Sequence, residues 1–201
     1  MEITGKRICF IITDCLCNTQ KLINELKTLK KLGAEIMPII DDFTLDIKND
    51  IEEICEKKSL HSLDEVKSIS HKDLFDIILV VPASENTISK LACDIIDTPA
   101  TLAVKTHIRN NLPVVIAASS IDGLGANLIN IATLINRKNY YFVPFTQSNP
   151  ITRPRSIIFE PDYILKTIQY ALDGEQIEPL LLWKKEILFN CESFENFGFF
   201  L

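Results

Sequence analysis

Two periodicities alternate along the chain. Residues 7–13 (RICFIIT), 34–40 (AEIMPII), 76–81 (DIILVV), 113–117 (PVVIA) and 140–143 (YYFV) are short, nearly continuous apolar runs, the pattern of strands buried on both faces. Between them apolar residues recur every three or four positions: Leu22, Ile23, Leu26, Leu29 and Leu32; Ile88, Leu91, Ala92 and Ile95; Leu124, Leu128, Ile131 and Ile135; Ile164, Leu165, Ile168 and Leu172. Such stripes belong to amphipathic helices. The punctuation agrees. Gly33 and Gly174 stand where helix C-caps belong, Ser84 where an N-cap belongs, and Thr98-Pro99 reads as a helix start with proline in its first turn. Residues 41–72 are charged and mixed, with a helix expected over 47–58.

Buried strands alternating with amphipathic helices imply βαβ units, hence an α/β fold with a parallel sheet covered on both faces. The expected architecture is flavodoxin-like (Rossmann-like), doubly wound, with five main strands in the order 2-1-3-4-5. In that order the chain reverses direction between strands one and three. A ligand crevice is therefore expected beyond their carboxyl ends, at residues 13–18 and 82–87. Residues 1–178 form the expected domain, and 179–201, which breaks the repeat, the expected tail.

Composition bears on function more than on fold. A chain of 201 residues is long enough for one domain with a real core. Its 27 acidic against 21 basic side chains, a formal charge of -6, weigh against nucleic acid or an anionic membrane as partner. No apolar run approaches the roughly 18 residues of a membrane span. The opening residues show no small-residue cleavage site, so no signal peptide is expected and the expected location is cytoplasmic. Cys9, Cys15, Cys17, Cys55, Cys93 and Cys191 form no CxxC pair and no Cys/His cluster, so reduced thiols and no metal site are expected.

The second crevice loop, Val81-Pro82-Ala83-Ser84-Glu85-Asn86-Thr87, sets a proline, a small residue and two hydroxyls around a helix N-terminus. Unpaired N–H groups and the helix dipole favour an anion there. Ser84 and Thr87 offer hydrogen bonds to a phosphate, and Asn86 a two-sided amide for a carboxylate or a flavin edge. Equally, Ser84 is a plain helix cap and Asn86 a solvated turn residue. Thr13, Asp14 and Cys15 of the first loop, Ala83, and Ser119 and Ser120 after strand four complete the candidate cofactor-binding set.

The segment from Pro82 to Thr87 resembles a motif of the flavoprotein superfamily that includes phosphopantothenoylcysteine decarboxylases and prenyl-flavin synthases. Other segments are more specific: Gly5-Lys6-Arg7, Leu32-Gly33-Ala34-Glu35, Pro38-Ile39, Ser89-Lys90-Leu91-Ala92, Asp97-Thr98-Pro99, Ala103-Val104-Lys105, Arg109-Asn110, Pro113-Val114-Val115, Leu124-Gly125 and Tyr141-Phe142-Val143-Pro144-Phe145. Together they resemble the family of dipicolinate synthase B subunits over residues 3–180.

That resemblance implies one component of a sporulation oxidoreductase acting on a CH–CH group, which oxidises dihydrodipicolinate to dipicolinate in the mother cell of a sporulating bacterium. It implies activity only together with the A subunit of dipicolinate synthase, which carries NAD(P), and a homo-oligomeric state. A small dicarboxylate substrate wants hydrogen-bond donors and fixed positive charge. The candidates are Asn86, Arg109 and Arg153, then Lys90, Lys105 and Arg155. Arg153-Pro154-Arg155, expected in the loop after strand five, is the preferred clamp, although each of these is also readable as a solvated surface charge.

The chain departs from the superfamily in its first loop. Where relatives carry Thr-Gly-Ser it has Thr13-Asp14-Cys15. The Cβ of Asp14 disfavours positive φ, and its charge opposes the phosphate of the FMN that the superfamily implies. Thr146 likewise replaces a glycine. Two rival readings stay open. One is a non-catalytic accessory subunit, favoured by the missing glycine at position 14. The other is an FMN-dependent decarboxylase, disfavoured because the lid region 144–156 holds no cysteine and His61 and His71 lack the family's surrounding motif. His61, His71 and His107 are expected as surface or core histidines. Asp122, in the loop after strand four, is the one acid expected at the crevice, or else the cap of a helix starting at Gly123, and no catalytic residue is assigned.

Overall fold

A computed structural model of the chain describes residues 2–13, 19–41, 47–70 and 75–183. Five parallel strands, β1 (Arg7–Ile12), β2 (Glu35–Ile40), β3 (Ile77–Ala83), β4 (Val114–Ser120) and β5 (Tyr140–Phe142), pair in the expected order 2-1-3-4-5. Seven helices accompany them among the described residues: α1 (Thr19–Lys31), α2 (Lys48–Cys55), α3 (Leu63–Ser70), α4 (Glu85–Ala92), α5 (Pro99–Arg109), α6 (Leu128–Ile135) and α7 (Ile164–Leu172). Alternate residues of a strand go to opposite faces. Ile8, Phe10, Ile12, Leu79, Val81 and Val115 cluster with Leu26 of α1, Ile51 of α2 and Ile168 of α7. Cys9, Ile11, Ile78, Val80 and Ile116 cluster instead with Val66 of α3, Ile88 of α4, Val104 of α5 and Ile131 of α6. Two cores therefore sandwich one sheet. Burial pushes the thiols of Cys9 and Cys55 up, as expected of cysteines used as small hydrophobes.

The sheet carries two strands that the apolar pattern does not show. β6 (Phe145–Asn149) and β7 (Arg153–Phe159) form an antiparallel pair, and β7 joins the end of β4. β4 thus forks: Val114, Val115 and Ile116 pair with β5, while Ser119 and Ser120 pair antiparallel with Ile158 and Ile157. The turn after β4 packs tightly on this hairpin. A Cβ on Gly123 would lie 2.4 Å from Cγ1 of Ile157, so only glycine lets that turn close. α6 consequently begins at Leu128 and not at Gly123, and Asp122 accepts a hydrogen bond from the Ala126 amide at 2.8 Å inside the preceding turn. Residues 41–72, read as holding one helix, hold both α2 and α3. The start of the expected tail is paired as well: the Phe145 amide donates to Leu180 and the Leu182 amide to Phe145.

Gln176 closes the far side of β5. Its amide accepts from the Phe142 N–H and donates to the Phe142 carbonyl, both at 2.8 Å, as a neighbouring strand would. Truncation leaves two half-buried backbone groups without protein partners. Gln176→Ala is therefore expected to lower stability by about 1–3 kcal/mol in urea unfolding.

His107 is a core histidine, 6 % exposed, whose Nε2 donates to the Pro113 carbonyl at 3.1 Å. Burial pushes its pKa down to about 4, only partly offset by that hydrogen bond and by the Asp76 charge. The folded form thus resists a proton that the unfolded chain takes up near pH 6.5, so this group's penalty grows as pH falls from about 6.5 towards 4. Between pH 7 and pH 5 the wild type is expected to lose about 2 kcal/mol more than His107→Gln, measured as paired urea-unfolding curves.

Candidate functional site

The carboxyl ends of the parallel strands bring the two crevice loops together. Thr13, the residue after β1, is buried; its Oγ1 donates to the Pro82 carbonyl at 2.9 Å and accepts from the Ser84 amide at 3.0 Å. Ser84 is the N-cap of α4 in extended conformation, and its Oγ accepts from the Thr87 amide and pairs with the Thr87 hydroxyl. An extended residue with a short hydroxyl satisfies a helix donor without breaking the strand that precedes it. Asp14 and Cys15 lie outside the described residues.

Beside this junction lies a cleft of about 190 Å³. Thr13, Ser84, Asn86 and Thr87 form one wall, with Lys90 one turn further along α4. Asp97, Thr98 and Pro99 bring the start of α5 to the opposite wall, where Thr98 and Thr101 form a reciprocal capping box. Asp41 after β2 and His61 complete it. Two helix N-termini therefore point at one small space, an arrangement that favours a bound anion. Asn86 is exposed and makes no side-chain hydrogen bond to the described residues. Lys90 meets Asp97 at 2.9 Å, a contact that an incoming carboxylate could replace.

His61 reaches the cleft because Leu60 bridges to Ile39 alongside β2. Its Nδ1 lies 3.0 Å from the Ile40 carbonyl, which only accepts, so Nδ1 is the donor. Nε2 lies 2.8 Å from Ser59 Oγ, which also contacts the Glu52 carboxylate closely. The Ser59 hydroxyl and amide hold the Glu52 carboxyl below the usual carboxylate range. Ser59 has one hydroxyl proton. It goes either to Glu52 or to His61 Nε2, not to both.

The other half of the crevice, at the end of β4, has opposite character. Glu85 of α4 accepts from Ser120 Oγ at 3.0 Å, and Ser120 Oγ accepts in turn from the Asp122 amide at 3.2 Å. Asn127 Nδ2 lies 3.4 Å from the same hydroxyl, while Asn127 Oδ1 accepts from Ser89 and Asn130. Among the described residues the hydroxyls nominated for a flavin phosphate are engaged: on the β1–β3 side Thr13 Oγ1 bonds the Pro82 carbonyl and the Ser84 amide while Ser84 pairs with Thr87, and on the β4 side the Glu85 carboxylate accepts from Ser120.

Not every residue nominated from the sequence meets at this edge. Ala83 and Ser119 are buried in β3 and β4, Ser119 with its backbone opposite Ile158. Arg109 is the exposed last residue of α5, so the length of that helix, about 15 Å, separates it from the cleft. Arg153-Pro154-Arg155 is no loop: all three open β7, exposed to solvent, and Arg155 lies 3.8 Å from Asp122. Lys105 pairs with Asp94 at 2.6 Å. His71 lies outside the described residues. Conversely, His61, Asp41, Asp97 and Glu85 enter from elements whose placement only the tertiary structure sets. The sequence signals for them were the position of Glu85 inside the second crevice loop and that of Asp97 in the segment Asp97-Thr98-Pro99.

Comparison with known proteins agrees with this geometry. The model of the family described as Flavoprotein matches residues 3–130. The B subunit of dipicolinate synthase from Bacillus subtilis is 31 % identical over 194 residues, covering 90 % of this chain and 96 % of that protein. The crystal structure of the corresponding B subunit from Bacillus halodurans superposes with a TM-score of 0.86 at 31 % identity, covering 92 % of this chain and all of the other. The FMN-dependent cysteine decarboxylase SpaF shares the fold at a TM-score of 0.59 and 13 % identity, covering 84 % and 99 % of the two chains. A matched family model, a relative similar along nearly its whole length and a close superposition on a solved B subunit place the chain in the Flavoprotein family and, within it, in the family of dipicolinate synthase B subunits.

Proposed function

We propose that this chain is the B subunit of a dipicolinate synthase and that it seats the dihydrodipicolinate dianion in the cleft between the starts of α4 and α5. The observation that carries this reading is the convergence of Asn86, Lys90 and His61 with two helix N-termini on a space of about 190 Å³, suited to a single-ring dicarboxylate. The Asn86 side chain and the amides of the first turn of α4 ahead of Thr87 receive one carboxylate. Lys90, exchanging Asp97 for substrate, receives the other. Aromatisation removes a hydride, taken by the oxidant that the A subunit holds, and a ring proton, which passes to solvent. His61, with Nδ1 donating to the Ile40 carbonyl and Nε2 paired with Ser59, is held as a wall of the cleft and does not take that proton. In this reading the protein works in the cytoplasm of the mother cell. It self-associates through apolar residues left exposed after β4 and on α6, Ile121 and Ile129 foremost, at 77 % and 72 % exposure.

The test is a reconstituted assay with the A subunit, dihydrodipicolinate and nicotinamide cofactor. This chain alone is expected to be inactive and the mixture active. Asn86→Ala and Lys90→Ala are each expected to raise the substrate KM about tenfold or more, the cost of a lost charge-assisted hydrogen bond, while Arg109→Ala leaves it unchanged. A mixture that is active but indifferent to both cleft substitutions would remove the cleft from the reaction and leave an accessory role.

A further inference from the structure

We propose that the β4 edge of the crevice is closed to an anion from within the chain: the Glu85 carboxylate takes up the Ser120 hydroxyl there and opposes a flavin phosphate. This inference does not depend on the cleft's substrate.

Glu85 lies in the first turn of α4, where a negative charge is favoured by the helix N-terminus. It is half-buried, and its Oε2 takes the Ser120 hydroxyl proton at 3.0 Å, tying α4 to the last residue of β4. The Ser120 oxygen then serves as acceptor for the Asp122 amide and faces Asn127. Asn127 is in turn held by Ser89 and Asn130, which bond each other. At this edge the Ser120 hydroxyl is thus engaged by a carboxylate that the protein itself supplies, and the Asp122 amide and the Asn127 side chain are turned to that hydroxyl. Across the crevice, the Ser84 and Thr87 amides are taken by the Thr13 and Ser84 hydroxyls, all three side chains being buried.

Charge points the same way. A phosphate monoester brings close to two negative charges, and at short range in a partly buried site like charges repel strongly. Asp122 adds a second carboxylate at this edge, and its guanidinium neighbour Arg155 is mostly exposed at 3.8 Å. Glu85 is the group that a phosphate must displace to reach the Ser120 hydroxyl.

The experiment is a titration of the full chain with FMN and, separately, with riboflavin, which lacks the phosphate, followed by quenching of flavin fluorescence. Wild type, Glu85→Ala and Glu85→Gln are compared; the last keeps an acceptor for Ser120 and removes only the charge. Circular dichroism melting shows that each variant is folded. Wild type is expected to bind FMN no better than riboflavin and to lose it on desalting. Glu85→Gln is expected to tighten FMN at least tenfold with riboflavin unchanged. Wild type retaining one FMN per chain through desalting overturns the inference, as does a folded Glu85→Gln chain that binds FMN no better than wild type.

Discussion

A strand that buries both faces must be covered by helices on each side of its sheet, and its backbone groups must find partners on both edges. β3 and β4 are buried at every residue, which commits the chain to crossovers that return over alternate faces. Each returning helix then starts at the carboxyl edge of the sheet. The starts of α4 and α5, the end of β1 and the fork at the end of β4 are neighbours for that reason. The crevice is a product of strand burial, and the side chains that line it are additions to a space the topology already makes.

What those additions do differs across the crevice. On the side of β1 and β2, Lys90 and His61 face two helix N-termini, with Asp41 and Asp97 close by, and Asn86 presents an amide not engaged by the described residues. On the side of β4, Glu85 and Asp122 dominate and the hydroxyl of Ser120 is spoken for. The overall charge of -6 says nothing about this division, because a local field is set by the few groups within hydrogen-bonding range. Closure between Thr13, Ser84 and Thr87 adds rigidity at the junction: the Thr13 hydroxyl joins the Pro82 carbonyl to the Ser84 amide, and the Ser84 hydroxyl pairs with that of Thr87 and holds the Thr87 amide.

The family relationship was legible because its motifs fall on backbone junctions. Pro82, Ala83 and Ser84 turn a strand into a helix, Gly33 ends α1 at φ +83° and Thr98-Pro99 begins α5. These are positions where local chemistry decides conformation. The hairpin β6–β7 was not legible. Gln147, Ser148, Asn149, Arg153, Pro154 and Arg155 carry its tip into solvent, so the segment reads as a polar loop, and what makes it a pair of strands is the free edge of β4 beside it. The misplacement of Arg153 follows directly. α3 was missed for a related reason, since Val66 is its one fully buried side chain among those described, Leu63 and Ile69 are half-buried, and its other residues are polar.

Periodicity and capping are local properties, and through them the amino-acid order alone set the succession of strands and helices, the faces each would bury and the two loops that meet at the switch point. It also carried the family, through residues spread over the whole chain. Which charges meet was decided only in the packed molecule. His61 and Asp41 come from the neighbourhood of β2, Lys90 from α4 and Asp97 from the start of α5; Glu85 finds Ser120 thirty-five residues away. Such encounters depend on how packed helices rotate and where a strand ends, and no spacing along the chain encodes them: hydrogen bonds and fields act over a few ångströms of space, not over sequence.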